Sequence, residues 1–201
     1  SFCSGTLVGK DLVLTAGHCV TSYRCSGYKI VFDYKISKPN QKKMIVHESD
    51  TFKCQEIVAY RQSRKGIDYA LIRLDRPVVG RRLARFDERI SRQEDPQSEI
   101  FSVGYPSGLP MKIATGARIH RSNSLFYVTD LDTFYGSSGS GVFSRSSQLL
   151  GVLVSGDTDY SFDRSAQCYR AKVCDISQCL GEQVLRFDVI RNDLEAQNIY
   201  L

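Results

Sequence analysis

The 201-residue chain has no tryptophan, two methionines and three histidines. It has no apolar run approaching the ~18 residues of a membrane helix, so no stretch of it reads as one. No cysteine pair has the C-x-x-C spacing of a structural zinc site, and the histidines are scattered. A metal centre is therefore not expected. No signal-like segment opens the sequence, so export would imply a leader already removed. One-sided charge is also scarce, at a net +5 spread along the chain. The densest basic stretch, Arg76 to Arg92, is interleaved with or flanked by Asp75, Asp87, Glu88, Glu94 and Asp95, and holds one aromatic, Phe86. A nucleic-acid platform needs stacking rings on an unopposed basic surface. This stretch reads instead as a solvated connection.

Cysteine is plentiful. Seven in 201 residues argue for an oxidising compartment, so the chain is expected to be secreted or periplasmic. Hydrophobic content of 42% and charged content of 24% fit a globular protein, long enough for one two-lobed domain.

Short apolar runs recur between turn residues, with no helical period among them. In the first half they are Phe2 to Val8, Leu12 to Leu14, Tyr28 to Phe32, Met44 to Val46, Glu56 to Tyr60 and Tyr69 to Leu74. In the second half they are Ile100 to Val103, Lys112 to Ala114, Ala117 to His120, Leu125 to Val128, Val142 to Phe143, Leu149 to Val154 and Gln167 to Val173. The pattern predicts an all-β protein of antiparallel barrels or sandwiches. Val184, Phe187, Ile190 and Leu194, three or four apart, predict a terminal amphipathic helix. The expected division is a first lobe over 1–78, a connection over 79–98, a second lobe over 99–180 and the helix over 181–201.

Three stretches carry chemistry. Asp132 to Phe143 reads DTFYGSSGSGVF, a small-residue turn that sets Ser138 among glycines. Glycine permits unusual backbone angles and close approach of a substrate carbonyl. It also lets the amides of Gly136 and Ser138 converge on a developing oxyanion. Upstream lies Leu14 to Cys19, LTAGHC, and between the two lies Ile67 to Leu74, IDYALIRL. A serine hydroxyl needs an imidazole to take its proton, and the imidazole needs a carboxylate to fix its tautomer. His18, Asp68 and Ser138 are the candidates for these roles. Asp68 precedes an apolar run, whereas Asp75 precedes Arg76-Pro77 and reads as a strand end. His47 beside Glu48, and His120 beside Arg121, read as exposed or structural.

Taken in the order His, Asp, Ser, these motifs resemble the chymotrypsin-like serine peptidases over nearly the whole chain. They look closest to the bacterial trypsin-like and glutamyl endopeptidase branch, and Gly104 to Gly108 resembles a turn cluster of that branch. The resemblance implies two six-stranded-type barrels with a C-terminal helix, and no cofactor. It implies a serine endopeptidase acting on polypeptide through an acyl-enzyme. The rival from another class is a catalytically weak or inactive binding module on the same fold. Two positions depart from the branch: Ser137 stands where asparagine is common and Gly141 where proline is.

The resemblance also places Asp132 at the bottom of the pocket for the residue before the scissile bond, with Thr133, Ser155 and Gly156 lining it. That arrangement implies a preference for Arg or Lys. The wall strand, Gly151 to Asp157, holds no histidine, and Asp157 would repel an acidic side chain, so cleavage after Glu is disfavoured. Ser137 carries no charge, which removes the aspartate that receives a new N-terminus in the digestive enzymes. The resemblance pairs Cys3 with Cys19. Cys25 with Cys54 is a candidate second bridge, and Cys168, Cys174 and Cys179 leave one cysteine over. One further strand would precede Ser1, so the first barrel should present an unpaired edge. The expected partner is an N-terminal segment cut from the same precursor and still bound.

Overall fold

The computed structural model describes residues 2–20, 25–63, 66–86, 98–172 and 179–201. The first lobe is a five-stranded antiparallel sheet. Its strands are β1 (Thr6–Leu7), β2 (Leu12–Thr15), β3 (Lys29–Val31), β4 (Thr51–Gln62) and β5 (Asp68–Leu74). They lie in the order β1-β2-β5-β4-β3, so β1 and β3 are edges and the barrel stays open between them.

The second lobe closes. Strands β6 (Glu99–Gly104), β7 (Lys112–Ser122), β8 (Phe126–Thr129), β9 (Gly141–Ser144), β10 (Leu149–Ser155) and β13 (Glu182–Arg186) form a six-stranded barrel. A separate hairpin joins β11 (Tyr160–Asp163) to β12 (Cys168–Ala171). The helix α1 (Phe187–Glu195) follows β13 directly. The expected fold is therefore present, the first lobe holding five strands among the described residues.

Three sequence expectations change. Met44 to Val46 forms no strand, and Ile45 and Val46 are exposed. Lys112 to Ala114 and Ala117 to His120 are one strand, β7, which passes Gly116 at φ +77°. Val184 belongs to β13 rather than to the helix. Its side chain is fully buried, so it satisfies a helical spacing by coincidence with a strand that ends where the helix begins.

The cores explain the apolar runs. Strand β10 reads as an unbroken apolar run because both of its faces are buried. Leu150 and Leu153 join the interior of the second barrel with Ile100, Ile119 and Val142. Leu149, Val152 and Val154 join Leu14, Tyr69, Leu71, Leu185 and Ile190 in a core shared by both lobes and the helix. The nine-residue helix is too short to be stable alone. Its Ile190 and Leu194 are fully buried, each stabilising by about 1.5–3 kcal/mol. Two disulfides, Cys3–Cys19 and Cys25–Cys54, lie in the first lobe. Cys179 is disulfide-bonded and Cys168 is a free, exposed thiol, while Cys174 lies outside the described residues.

The connection is more than solvated linker where it is described. Arg76 lies 4.0 Å over the Phe52 ring, and Arg81 pairs with Asp33 and Asp50. Ala84 N–H donates to Leu7 O at 2.8 Å and Leu149 N–H to Arg85 O at 2.6 Å, so this strap touches both lobes. Residues 87–97 lie outside the described set.

The helix is tied to the first lobe by polar contacts to Asp193, one from Arg61 of β4 and one from Tyr69 of β5. Tyr69, fully buried, donates its hydroxyl to Asp193 Oδ2 at 2.6 Å. Burial, reinforced by Asp193, holds this phenol well above its usual range. Replacing it removes one donor from Asp193, which keeps Arg61 and Gln197. Tyr69→Phe is expected to lower stability by about 1–2 kcal/mol, read from urea unfolding. An unchanged midpoint would mean the contact contributes nothing to docking.

Candidate active site

The β2–β5 ladder sets the first two groups. It pairs Thr15 with Ala70, so the chain leaving β2 passes the start of β5. There it makes a tight 3-10 turn, Gly17–Cys19. His18 sits in that turn and Asp68 is the first residue of β5. Both oxygens of Asp68 are committed to His18. Oδ1 accepts its backbone N–H at 2.9 Å, and Oδ2 lies 2.7 Å from Nδ1. A carboxylate only accepts, so Nδ1 carries the proton and Nε2 is left with its lone pair. The Asp68 side chain is 14% exposed and that of His18 34%, so the acid is shielded while the imidazole reaches the surface. Gly17 permits this closeness: a methyl there would overlap Arg61 O and Asp68 Oδ1. Asp75, the rejected alternative, accepts the Lys53 N–H at 3.0 Å and pairs with Arg76. His120 lies 2.8 Å from Asp130.

Ser138 is delivered by the loop before β9. Gly136 (φ +94°) and Gly139 (φ +87°) both adopt the left-handed region that only glycine enters without strain. The loop is pinned to the second lobe by Gly139 N–H to Leu153 O at 2.8 Å and Leu153 N–H to Ser140 O at 2.9 Å. It is pinned to the first lobe by Ser4. The Ser4 N–H donates to Ser138 O at 2.7 Å, and the Ser4 hydroxyl donates to Gly136 O at 2.8 Å. Cys19 Sγ lies 3.7 Å from the same Ser138 oxygen. The nucleophile candidate thus stands beside the residue that follows His18.

The two amides expected to form an oxyanion hole have their orientation fixed. The carbonyl of Tyr135 accepts the Ser107 N–H at 2.5 Å, and that of Ser137 accepts the Ser140 N–H at 2.9 Å. In a trans peptide the N–H points opposite to the carbonyl. The amides of Gly136 and Ser138 therefore face away from both contacts, and among the described residues neither donates a hydrogen bond. The Gly104–Gly108 turn is what holds Gly136 so: a Cβ there would lie 2.9 Å from Tyr105 O. The two departures cost no support. Ser137 is buried, and Gly141 is paired on one side with Val103 and on the other with Val152.

The pocket residues divide. Thr133 lies inward, its hydroxyl donating to Glu182 Oε2 at 2.7 Å. Asp132 is exposed and lines a groove with Lys112, Ile113, Phe134 and Tyr160. Ser155 ends β10 and donates to Gln183. A methyl on Gly156 would collide with the Glu182 carboxyl group. Burial raises that carboxyl to about 7, with Asp159 and Asp132 pushing the same way. Asp157 is held below the usual carboxylate range by the amides of Thr158 and Leu180 and by Lys172. Ser4 and Glu182 are the two site neighbours that sequence reasoning missed. The one visible signal for Glu182 was an acid entering the fully apolar pair Val184-Leu185.

Solved structures of similar shape include proteases. The active form of the M. tuberculosis protease Rv3671c aligns at TM-score 0.62 and 17% identity, over 95% of this chain and 71% of that one. A Glu endopeptidase in complex with MPD aligns at 0.60 and 19%, over 96% and 85%. A serine endoprotease from Yersinia pestis aligns at 0.62 and 14%, over 96% of this chain and 56% of its own length. No curated protein matches the sequence significantly. At such identities the likeness is one of fold, but the sequence itself matches the family described as "Trypsin-like peptidase domain" over residues 3–152. That span runs from the strap beside His18 through the Ser138 loop, and the chain belongs to the trypsin-like peptidase family.

Proposed function

We propose that the chain is a serine endopeptidase working through His18, Asp68 and Ser138, with a preference for Arg or Lys before the scissile bond. The observation that carries the reading is the double engagement of His18 by Asp68. It leaves Nε2 as the proton acceptor on the imidazole. In the reaction, Ser138 Oγ attacks the scissile carbonyl carbon while Nε2 takes its proton. The Gly136 and Ser138 amides receive the oxyanion, and Nε2 then protonates the leaving amine. Water repeats the sequence on the acyl-enzyme. The cation preference is supported by the carboxyl groups gathered at the pocket, Asp132, Asp157, Asp159 and Glu182. The disulfides support a secreted or periplasmic location, and among the described residues no helix is long and apolar enough to cross a membrane.

The expected retained segment has a place in this reading. Strands β1 and β3 are both edges of one sheet, and a cavity of about 540 Å³ lies beside them. Val13, Ile30, Val31, Phe32 and Ile72 are among its lining. An extended segment of the same precursor, apolar on one face, would pair with the edge strands and fill it.

Two outcomes are expected. Ser138→Ala should cut peptide hydrolysis by on the order of 10⁴-fold or more, leaving the residual due to binding and the oxyanion amides; wild-type turnover would remove Ser138 as nucleophile. Native mass spectrometry of protein from its natural source should find a bound peptide whose removal lowers activity. A fully active chain with nothing bound would remove the segment.

A further inference from the structure

Glu182 has no part in the chemistry above, and the barrel does not need a carboxyl where it stands. It opens β13, where Val184 on the same face is fully buried in the second barrel and Leu185 is buried on the opposite face. The β10–β13 ladder pairs Ser155 with Gln183, which brings Glu182 level with Gly156. The carboxyl then lies between Thr133 and the end of β10. On one side it takes the Thr133 hydroxyl at 2.7 Å. On the other it occupies the space that a side chain at position 156 would need. Asp132, on the spacing that suggested it, faces an exposed groove instead.

Resting on the peptidase reading, we propose that Glu182, rather than Asp132, is the carboxyl that reads the substrate side chain before the scissile bond. Ionised, it takes a cationic side chain; protonated, it takes a neutral one.

The surroundings supply the physical reason. Thr133 donates to Glu182, as does the Asp157 backbone, while Asp159 and Asp132 add negative charge nearby. Asp157 is itself neutralised by Lys172 at 3.3 Å and by the Thr158 and Leu180 amides. Asp159 accepts the Tyr135 N–H at 2.6 Å. A part-buried carboxyl among like charges keeps its proton longer than a solvated one, and here it titrates at about 7 rather than 4.5. It is therefore mainly neutral at pH 5.5 and mainly ionised at pH 8.5. An entering guanidinium supplies the missing countercharge and releases the proton to solvent. A neutral side chain has no such effect and meets a hydroxyl-like donor at low pH.

The test compares two peptides that differ only in arginine or citrulline before the scissile bond. Citrulline keeps the shape and loses the charge. Both peptides use the same base and nucleophile, so titration of those groups cancels in the ratio of their kcat/KM values. The ratio in the wild-type protein should rise on the order of 10- to 30-fold from pH 5.5 to 8.5, following one free-enzyme ionisation. In Glu182→Gln it should be low and flat, and Asp132→Asn should retain the rise. A flat wild-type ratio, or a rise abolished by Asp132→Asn and kept by Glu182→Gln, would overturn the proposal. Phenylguanidinium binding to Ser138→Ala protein gives a readout without catalysis. Its affinity should strengthen over the same pH range by a similar factor and lose that dependence in the Ser138→Ala/Glu182→Gln double variant. Tight, pH-dependent binding with no turnover of either peptide by the wild type would remove the peptidase reading and leave the Glu182 site standing. Turnover of both peptides with pH-independent binding would do the reverse.

Discussion

The whole site hangs on one buried serine that is not part of the chemistry. Ser4 makes four hydrogen bonds, three of them across the junction of the lobes. Its N–H holds Ser138 O, its hydroxyl holds Gly136 O and accepts the Tyr105 N–H at 3.0 Å, and its carbonyl accepts the Thr15 hydroxyl at 2.6 Å. Thr15 belongs to the strand that leads to His18, and Tyr105 to the turn that cradles Gly136. The neighbouring Cys3–Cys19 bridge fixes the same strap to the histidine turn. A single hydrogen bond contributes only about 1 kcal/mol net, but leaving buried partners unmet costs about 1–3 kcal/mol each. The lobes are therefore held in register by bonds that are cheap to make and expensive to lose. A serine fits here because its short side chain can donate and accept at once.

Electrostatics divide the cleft by function. On the His18 side one carboxylate serves one histidine with both oxygens, Oδ2 on the ring and Oδ1 on the backbone N–H, and its shielding keeps the geometry. On the pocket side Asp132 and Asp159 lie near Glu182, while Asp157 is matched by Lys172. Burial and the nearby like charges make Glu182 keep its proton longer than a solvated carboxyl does. A cation beside it would favour its ionised form.

The fold class was legible because it depends on short-range signals, and the proposed triad was assembled from signals of the same kind. The glycines of the Ser138 loop, the apolar strand after Asp68 and the turn after β2 can all be read within a few residues. The strands of the second lobe were visible for the same reason, β10 most clearly. What escaped depends on register across strands. Glu182 comes level with Gly156 only because β13 pairs with β10, and the helical spacing of Val184, Phe187 and Ile190 hid that strand. Asp132 was singled out by its distance from the nucleophile, a count that says nothing of which way the side chain turns. Ser4 lies far from Gly136 in sequence, and no local pattern marks a serine as a clamp. Strand β11 is only four residues long and mostly exposed, so its short alternation was not set apart from the turns around it.

The central claim is that Ser138 is a nucleophile activated by His18. Stoichiometric labelling with a fluorophosphonate, followed by peptide mapping, tests it most directly, because the reagent phosphonylates a serine only when a neighbouring base takes its proton. The account predicts one adduct per chain, on Ser138, lost in His18→Ala protein of unchanged fold. Absence of any adduct on the folded wild-type chain, or labelling of Ser138 at the same rate without His18, would contradict it.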